Sequence, residues 1–157
     1  MKAFFINGRL AFGSKVNKQR HVEKLRALGI THVVDLPGYH SKKLREFNTV
    51  WLGFKDNAKP RPRWFYGRAL SFHEQAMSQP QIKVFVMCRA GKRRSPSLTY
   101  FLLRASGISP RKAQATVRRA RPCAMAACTG EPYVSPPCRS PKMFFQYCVS
   151  HSAKAIS

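Results

Sequence analysis

The chain has 157 residues, 44% of them apolar, which is the size of one domain and enough to close a core without disulfide or metal staples. Its 29 Lys and Arg against 6 Asp and Glu give a formal charge of +23, which argues against cationic partners and for anions: nucleic acid, an anionic membrane surface, or acidic and phosphorylated protein. The five cysteines, Cys88, Cys123, Cys128, Cys138 and Cys148, are odd in number and follow no zinc-ligand spacing, so neither a disulfide framework nor a metal site is expected and a reducing, cytoplasmic setting fits.

In chain order, residues 3–13 read as a strand pair, Ala3-Phe4-Phe5-Ile6 and Leu10-Ala11-Phe12-Gly13, around a turn at Asn7-Gly8. Val22, Leu25 and Leu28 predict a helix over 16–28, stopped by Gly29. A strand follows over 30–36, cut by Pro37-Gly38. Residues 42–48 are polar and basic, a loop or short helix, and lead into the short apolar run 49–54. The segment 55–63 carries two prolines and must be a loop. Phe65, Ala69, Phe72 and Ala76 place one apolar face on a helix over 64–77. The β-branched run Ile82 to Met87 has the character of a central, buried strand. Helix starts are expected at Ser95-Pro96 and Ser109-Pro110, the second helix running through Ala113, Val117 and Ala120. Residues 123–139 read as a loop, 140–150 as a last helix and 151–157 as a tail. No stretch approaches the length of a membrane span, and the apolar run at 3–6 is too short for a secretion signal. Alternating strands and helices predict an α/β fold: one domain over 1–157, with a mostly parallel twisted sheet and helices on both faces.

The chemistry is concentrated in Cys88-Arg89-Ala90-Gly91-Lys92-Arg93-Arg94-Ser95. A bare Cys-x5-Arg arises easily by accident in so basic a chain. The weight comes from its position, at the end of the most strand-like segment and just before a helix start, where open α/β sheets bind ligands. Phosphate binding needs consecutive inward N–H groups, a helix N-terminus behind them and residues that tolerate a tight curl. Ala90-Gly91 and Ser95-Pro96 meet those needs, Arg94 can clamp two phosphate oxygens, and the same N–H groups and cations favour the thiolate of Cys88.

With these residues the sequence resembles the protein tyrosine phosphatase superfamily, most of all its compact dual-specificity branch, over about residues 4–122. The resemblance implies that Cys88 is the nucleophile forming a phosphocysteine, that Arg94 clamps phosphate with the 89–94 loop, and that Ser95 helps the thiolate leave. The family also uses an aspartic acid about thirty residues upstream as general acid and base. Asp56, 32 residues before Cys88 and in the Pro-rich loop, matches that position. Asp35 ends a strand and is read as structural, and Glu74 lies on a helix. Two positions depart from the family: Met87 stands where a histidine is usual, and Arg93 adds bulk and charge where a small residue is usual. Arg89, Lys92 and Arg93 are expected to compensate electrostatically for the missing histidine.

No cofactor or metal is implied. A phosphorylated protein is the default substrate. Arg89 and Lys92 also resemble the basic loop residues of tensin-related phosphoinositide phosphatases, and another branch removes 5′ phosphates from RNA, so an anionic lipid head group or RNA stays open. The alternative of another class is a pseudophosphatase that binds phosphate or nucleic acid without turnover. Cys123, Cys128, Cys138 and Cys148 are read as small core or loop residues, any of which, by the same resemblance, can pair with Cys88 on oxidation.

Overall fold

The structure is a computed structural model and describes residues 1–54 and 61–124. Its centre is β5 (Val84–Cys88), buried at every position, as its β-branched apolar sequence requires. The strand pairs in parallel with β2 (Leu10–Ser14), from Leu10 opposite Val84 to Ser14 opposite Cys88. On its other side it pairs in parallel with β3 (His32–Asp35). The edges are β1 (Ala3–Phe5), antiparallel to β2, and β4 (Asn48–Trp51), parallel to β3, giving the order β1-β2-β5-β3-β4. The four parallel strands therefore end on one side of the sheet, with Ser14, Asp35, Trp51 and Cys88 along that edge.

Alternation along the strands feeds two cores. Ala11, Val33, Phe85 and Met87 pack with Val16, Val22 and Leu25 beneath α1 (Gln19–Ala27). Leu10, Phe12, Val34, Val84, Val86 and Cys88 face α2 (Arg63–Met77), α3 (Arg94–Ala105) and α4 (Pro110–Ala120), meeting Phe65, Leu98, Leu102 and Val117. Each Val, Leu, Phe or Met among them contributes roughly 1.5–3 kcal/mol relative to exposure. No helix among the described residues is long and apolar enough to cross a membrane.

Local signals in the sequence reappear with adjusted boundaries. Helix α1 begins at Gln19, not Val16, because the backbone of Lys18 is extended; Val16 is buried as an anchor ahead of the helix. Its end is a Schellman turn: Gly29, at φ +72°, donates to Arg26 O at 2.8 Å, and Ile30 donates to Leu25 O at 3.0 Å. The first turn is longer than Asn7-Gly8 alone, since Ile6 N–H donates to Leu10 O and the Asn7 side chain accepts from Arg9 and Leu10. Residues 42–44 form a short 3-10 turn. Asp56, Cys128, Cys138, Cys148, and the loop, helix and tail assigned from 125 onward, lie outside the described residues.

Candidate active site

Between β5 and α3 the chain curls around the Cys88 sulfur. Cys88 is 2% exposed at the strand end. Gly91 N–H donates to its Sγ at 3.2 Å, and Ser95 Oγ lies 3.3 Å from it. Ser95, fully buried, also donates to Gly13 O at 3.2 Å, which ties the first turn of α3 to β2. Gly91 has φ +67°, and a Cβ there would fall 2.6 Å from Gly13 C and 2.8 Å from Ser14 N. Only glycine fits this close approach of loop and strand. Lys15 N–H donates to Arg89 O at 3.4 Å from the same side.

Arg94, the first residue of α3, is half-buried. One of its terminal nitrogens donates to Leu36 O at 3.3 Å and Phe54 O at 3.0 Å, and its guanidinium lies 5.7 Å from the Phe54 ring centre. These contacts hold the planar fork at the mouth of the loop. The wall beyond it is pinned from below by Asp35, whose buried carboxylate accepts from Ser41 N–H at 3.2 Å and His40 Nδ1 at 3.1 Å. Burial pushes the Asp35 carboxyl above its ordinary pKa, against those two bonds. Trp51 Nε1 adds a bond to Pro37 O at 3.0 Å. The cleft so formed has a volume of about 490 Å³, with Lys15, Tyr39, Phe54, Arg89 and Arg94 among its lining residues. Lys15 Nζ donates to Tyr39 Oη at 2.9 Å across it.

The structure thus brings Cys88, Gly91, Arg94 and Ser95 to one point. Arg89, Ala90, Lys92 and Arg93 are exposed, so the bulk anticipated at Arg93 stands outside the loop and its charge faces solvent. Met87 lies on the opposite face of the sheet from Cys88, 1% exposed in the core under α1. Phe54 is the last described residue before 55–60 and lines the cleft, while Asp56 is outside the described residues. Three contributors had no signal of their own in the sequence: Lys15 and Tyr39 on the cleft rim, and Arg121, whose Nη1 donates to Ala90 O and Gly91 O behind the loop. Cys123 is exposed, and the hydrogen bond from Arg121, with smaller contributions from the charges of Arg121 and Lys92, holds its thiol below the ordinary pKa.

A buried sulfur that accepts from Gly91 N–H, at the N-terminus of α3 and beside a guanidinium, is an arrangement suited chemically to holding an anion. No protein-family model matches the chain. Solved structures do. The chain is similar to Tk-PTP in its active form, with TM-score 0.66, 23% identity, and 94% of this chain and 96% of that chain covered. It is similar to DUSP15, with TM-score 0.70, 14% identity, and 97% and 90% covered. It is also similar to PTPMT1 in complex with PI(5)P, with TM-score 0.67, 14% identity, and 96% and 98% covered. The chain shares the fold of these structures, a dual-specificity phosphatase-like α/β fold.

Proposed function

We propose that the chain is a cysteine-dependent phosphatase that hydrolyses phosphate monoesters through a phosphocysteine. The observation that carries this reading is Cys88 Sγ held between Gly91 N–H and Ser95 Oγ, with Arg94 anchored at the mouth of the same loop. The thiolate attacks phosphorus in line, the S–P bond forming as the bond to the leaving oxygen breaks. Loop N–H groups and Arg94 hold the three non-bridging oxygens as charge redistributes over them. Asp56 protonates the leaving oxygen, then takes a proton from the water that cleaves the S–P bond, while Ser95 Oγ–H stabilises the departing thiolate. This chemistry needs a reduced sulfur, and a cytoplasmic setting suits it.

A phosphorylated protein is the substrate class this reading favours. The cleft opens directly onto Arg94 and is lined by Tyr39 and Phe54, so an aryl or alkyl phosphate side chain has an apolar wall to lie on. A phosphoinositide head group is the second reading. It is favoured by Lys15 and Arg89 on the same cleft, and by the fold shared with PTPMT1, a protein crystallised with PI(5)P.

The test is hydrolysis of para-nitrophenyl phosphate, without metal, by the unmodified chain and by Cys88→Ser and Asp56→Ala. Cys88→Ser is expected to abolish turnover, and Asp56→Ala to lower kcat by about 10²–10⁴-fold, the usual contribution of a general acid. Panels of phosphopeptides and soluble inositol phosphates then separate the substrate classes. Phosphate binding by an unmodified, reduced chain that shows no turnover would replace the enzyme with a phosphate-binding pseudophosphatase.

A further inference from the structure

Arg121 closes α4, and only 7% of it is exposed. Its Nη1 donates to Ala90 O at 3.1 Å and to Gly91 O, and its guanidinium lies 4.8 Å from the centre of the Phe4 ring. Its Nε points to Cys123 Sγ at 3.4 Å. Among the described residues no carboxylate pairs with it; the ion pairs there are Arg26 with Glu46 and His40 with Asp35. A guanidinium buried without a counter-ion is costly, and loop carbonyls repay only part of that cost.

The peptide plane makes the consequence specific. Across a trans peptide the C=O and the following N–H point in opposite directions. With Ala90 O drawn back onto Arg121, the N–H of Gly91 must face forward, and it does, onto Cys88 Sγ at 3.2 Å. With Gly91 O drawn back likewise, the N–H of Lys92 is turned toward the front of the loop. Gly91, left-handed at φ +67°, lies between these two peptides, and its backbone angles set the direction in which both carbonyls meet one nitrogen. Without Arg121 these peptides are free to rotate and to present carbonyl oxygens to the anion.

We infer that Arg121 is a positioning residue: from behind, it holds the Ala90 and Gly91 carbonyls outward, fixes the inward N–H groups on which phosphate binding depends, and keeps a buried positive charge whose counter-ion is the bound phosphate. This rests on the phosphatase reading of the Cys88 loop. It also assigns the buried charge a partner that the described residues do not supply.

The experiment compares Arg121→Met, Arg121→Lys and Arg119→Ala. Methionine keeps an apolar stem against Phe4, lysine keeps the charge with a single donor head, and Arg119, exposed on the same helix, controls for loss of one charge from the surface. Two readouts are taken on folded protein: KM and kcat for para-nitrophenyl phosphate, and the concentration of inorganic phosphate that half-protects Cys88 from iodoacetamide, followed by mass spectrometry. Arg121→Met is expected to raise both KM and the half-protecting concentration at least tenfold, Arg121→Lys to recover part of each, and Arg119→Ala to stay within twofold of the unmodified chain. A fall in kcat that tracks the folded fraction, with KM and protection unchanged, would make Arg121 merely structural and overturn the inference, as would equal effects of Arg119→Ala. Arg121→Lys carries the comparison if Arg121→Met does not fold. Protection needs no turnover, so a chain that is protected but inactive loses the enzymatic reading while the Arg121 series is still decided; a chain neither active nor protected overturns both.

Discussion

Ser95 has one hydroxyl proton and two acceptors, Gly13 O at 3.2 Å and Cys88 Sγ at 3.3 Å. A protonated Cys88 can donate to Ser95 Oγ, leaving the serine proton on Gly13; a thiolate instead draws that proton to itself. The hydroxyl is therefore placed to stabilise sulfur when it carries charge, which in the proposed mechanism is when the phosphocysteine breaks down. Ser95→Ala removes a hydrogen bond to a charged group, about 1.5–3 kcal/mol, so kcat should fall roughly 10- to 100-fold. Stopped-flow on para-nitrophenyl phosphate should then show a burst of one equivalent before slow turnover; unchanged kcat without a burst would remove Ser95 from the mechanism. Gly91→Ala acts differently, through a left-handed backbone worth about 1–3 kcal/mol of strain and a Cβ driven to 2.6 Å from Gly13 C. It should lower the urea midpoint and weaken vanadate inhibition together. Cys88, Arg94 and Ser95 were legible in the sequence because a loop between strand and helix keeps its members within eight residues. Arg121 and Lys15 reach that loop only through the fold, and among 29 Lys and Arg nothing local marks Arg121 as buried.

At the scale of elements, the strand that presents Cys88 is held in register from both sides, and its approach is fixed by a residue at the far end of β2. Helix α2 has no basic residue in its last turn. Arg9 supplies that charge from the turn between β1 and β2, with Nη2 on Ala76 O and Met77 O at 3.2 Å each and on Gln79 O, and Nε on Ile82 O at 3.1 Å. One cation thus satisfies the carbonyls of the α2 terminus and the turn into β5, and complements the helix dipole. Arg9→Met should cost about 2–3 kcal/mol, because several carbonyls lose a charged donor at once. Urea unfolding measures the loss, and KM for para-nitrophenyl phosphate on the folded fraction should stay put, since Arg9 acts at the opposite end of β5 from Cys88. An Arg9 variant with full stability would show that water caps the helix equally well. The elements themselves were readable from periodicity and from Gly29, Ser109-Pro110 and the run before Cys88. Their ends were not: α1 starts late because Val16 is buried ahead of it as an anchor, a packing demand that helical periodicity does not display.

For the whole molecule, a formal charge of +23 spread over one chain attracts every anion and singles out no partner. Its consequence for stability is sharper, because an acidic medium adds protons to an already cationic fold. His73 sits inside α2 with 6% exposure, and its Nδ1 has no hydrogen-bond partner among the described residues. Burial, with the Arg9 charge adding to it, pushes its pKa from 6.5 down to about 4. The unfolded chain therefore binds this proton between about pH 6.5 and 4 while the folded chain does not, so stability is complete above pH 6.5 and falls as pH drops, by about 3 kcal/mol at pH 4. His21, also lowered by burial, has the same sign, whereas Asp35, raised by burial, has the opposite one and offsets part of the loss. Urea unfolding at pH 7.0, 5.5 and 4.5 should show the midpoint declining. His73→Leu should flatten that decline, since it removes the group that must take up a proton on unfolding, and an equally steep decline in the variant would assign the acid sensitivity to the repulsion of the surface cations instead.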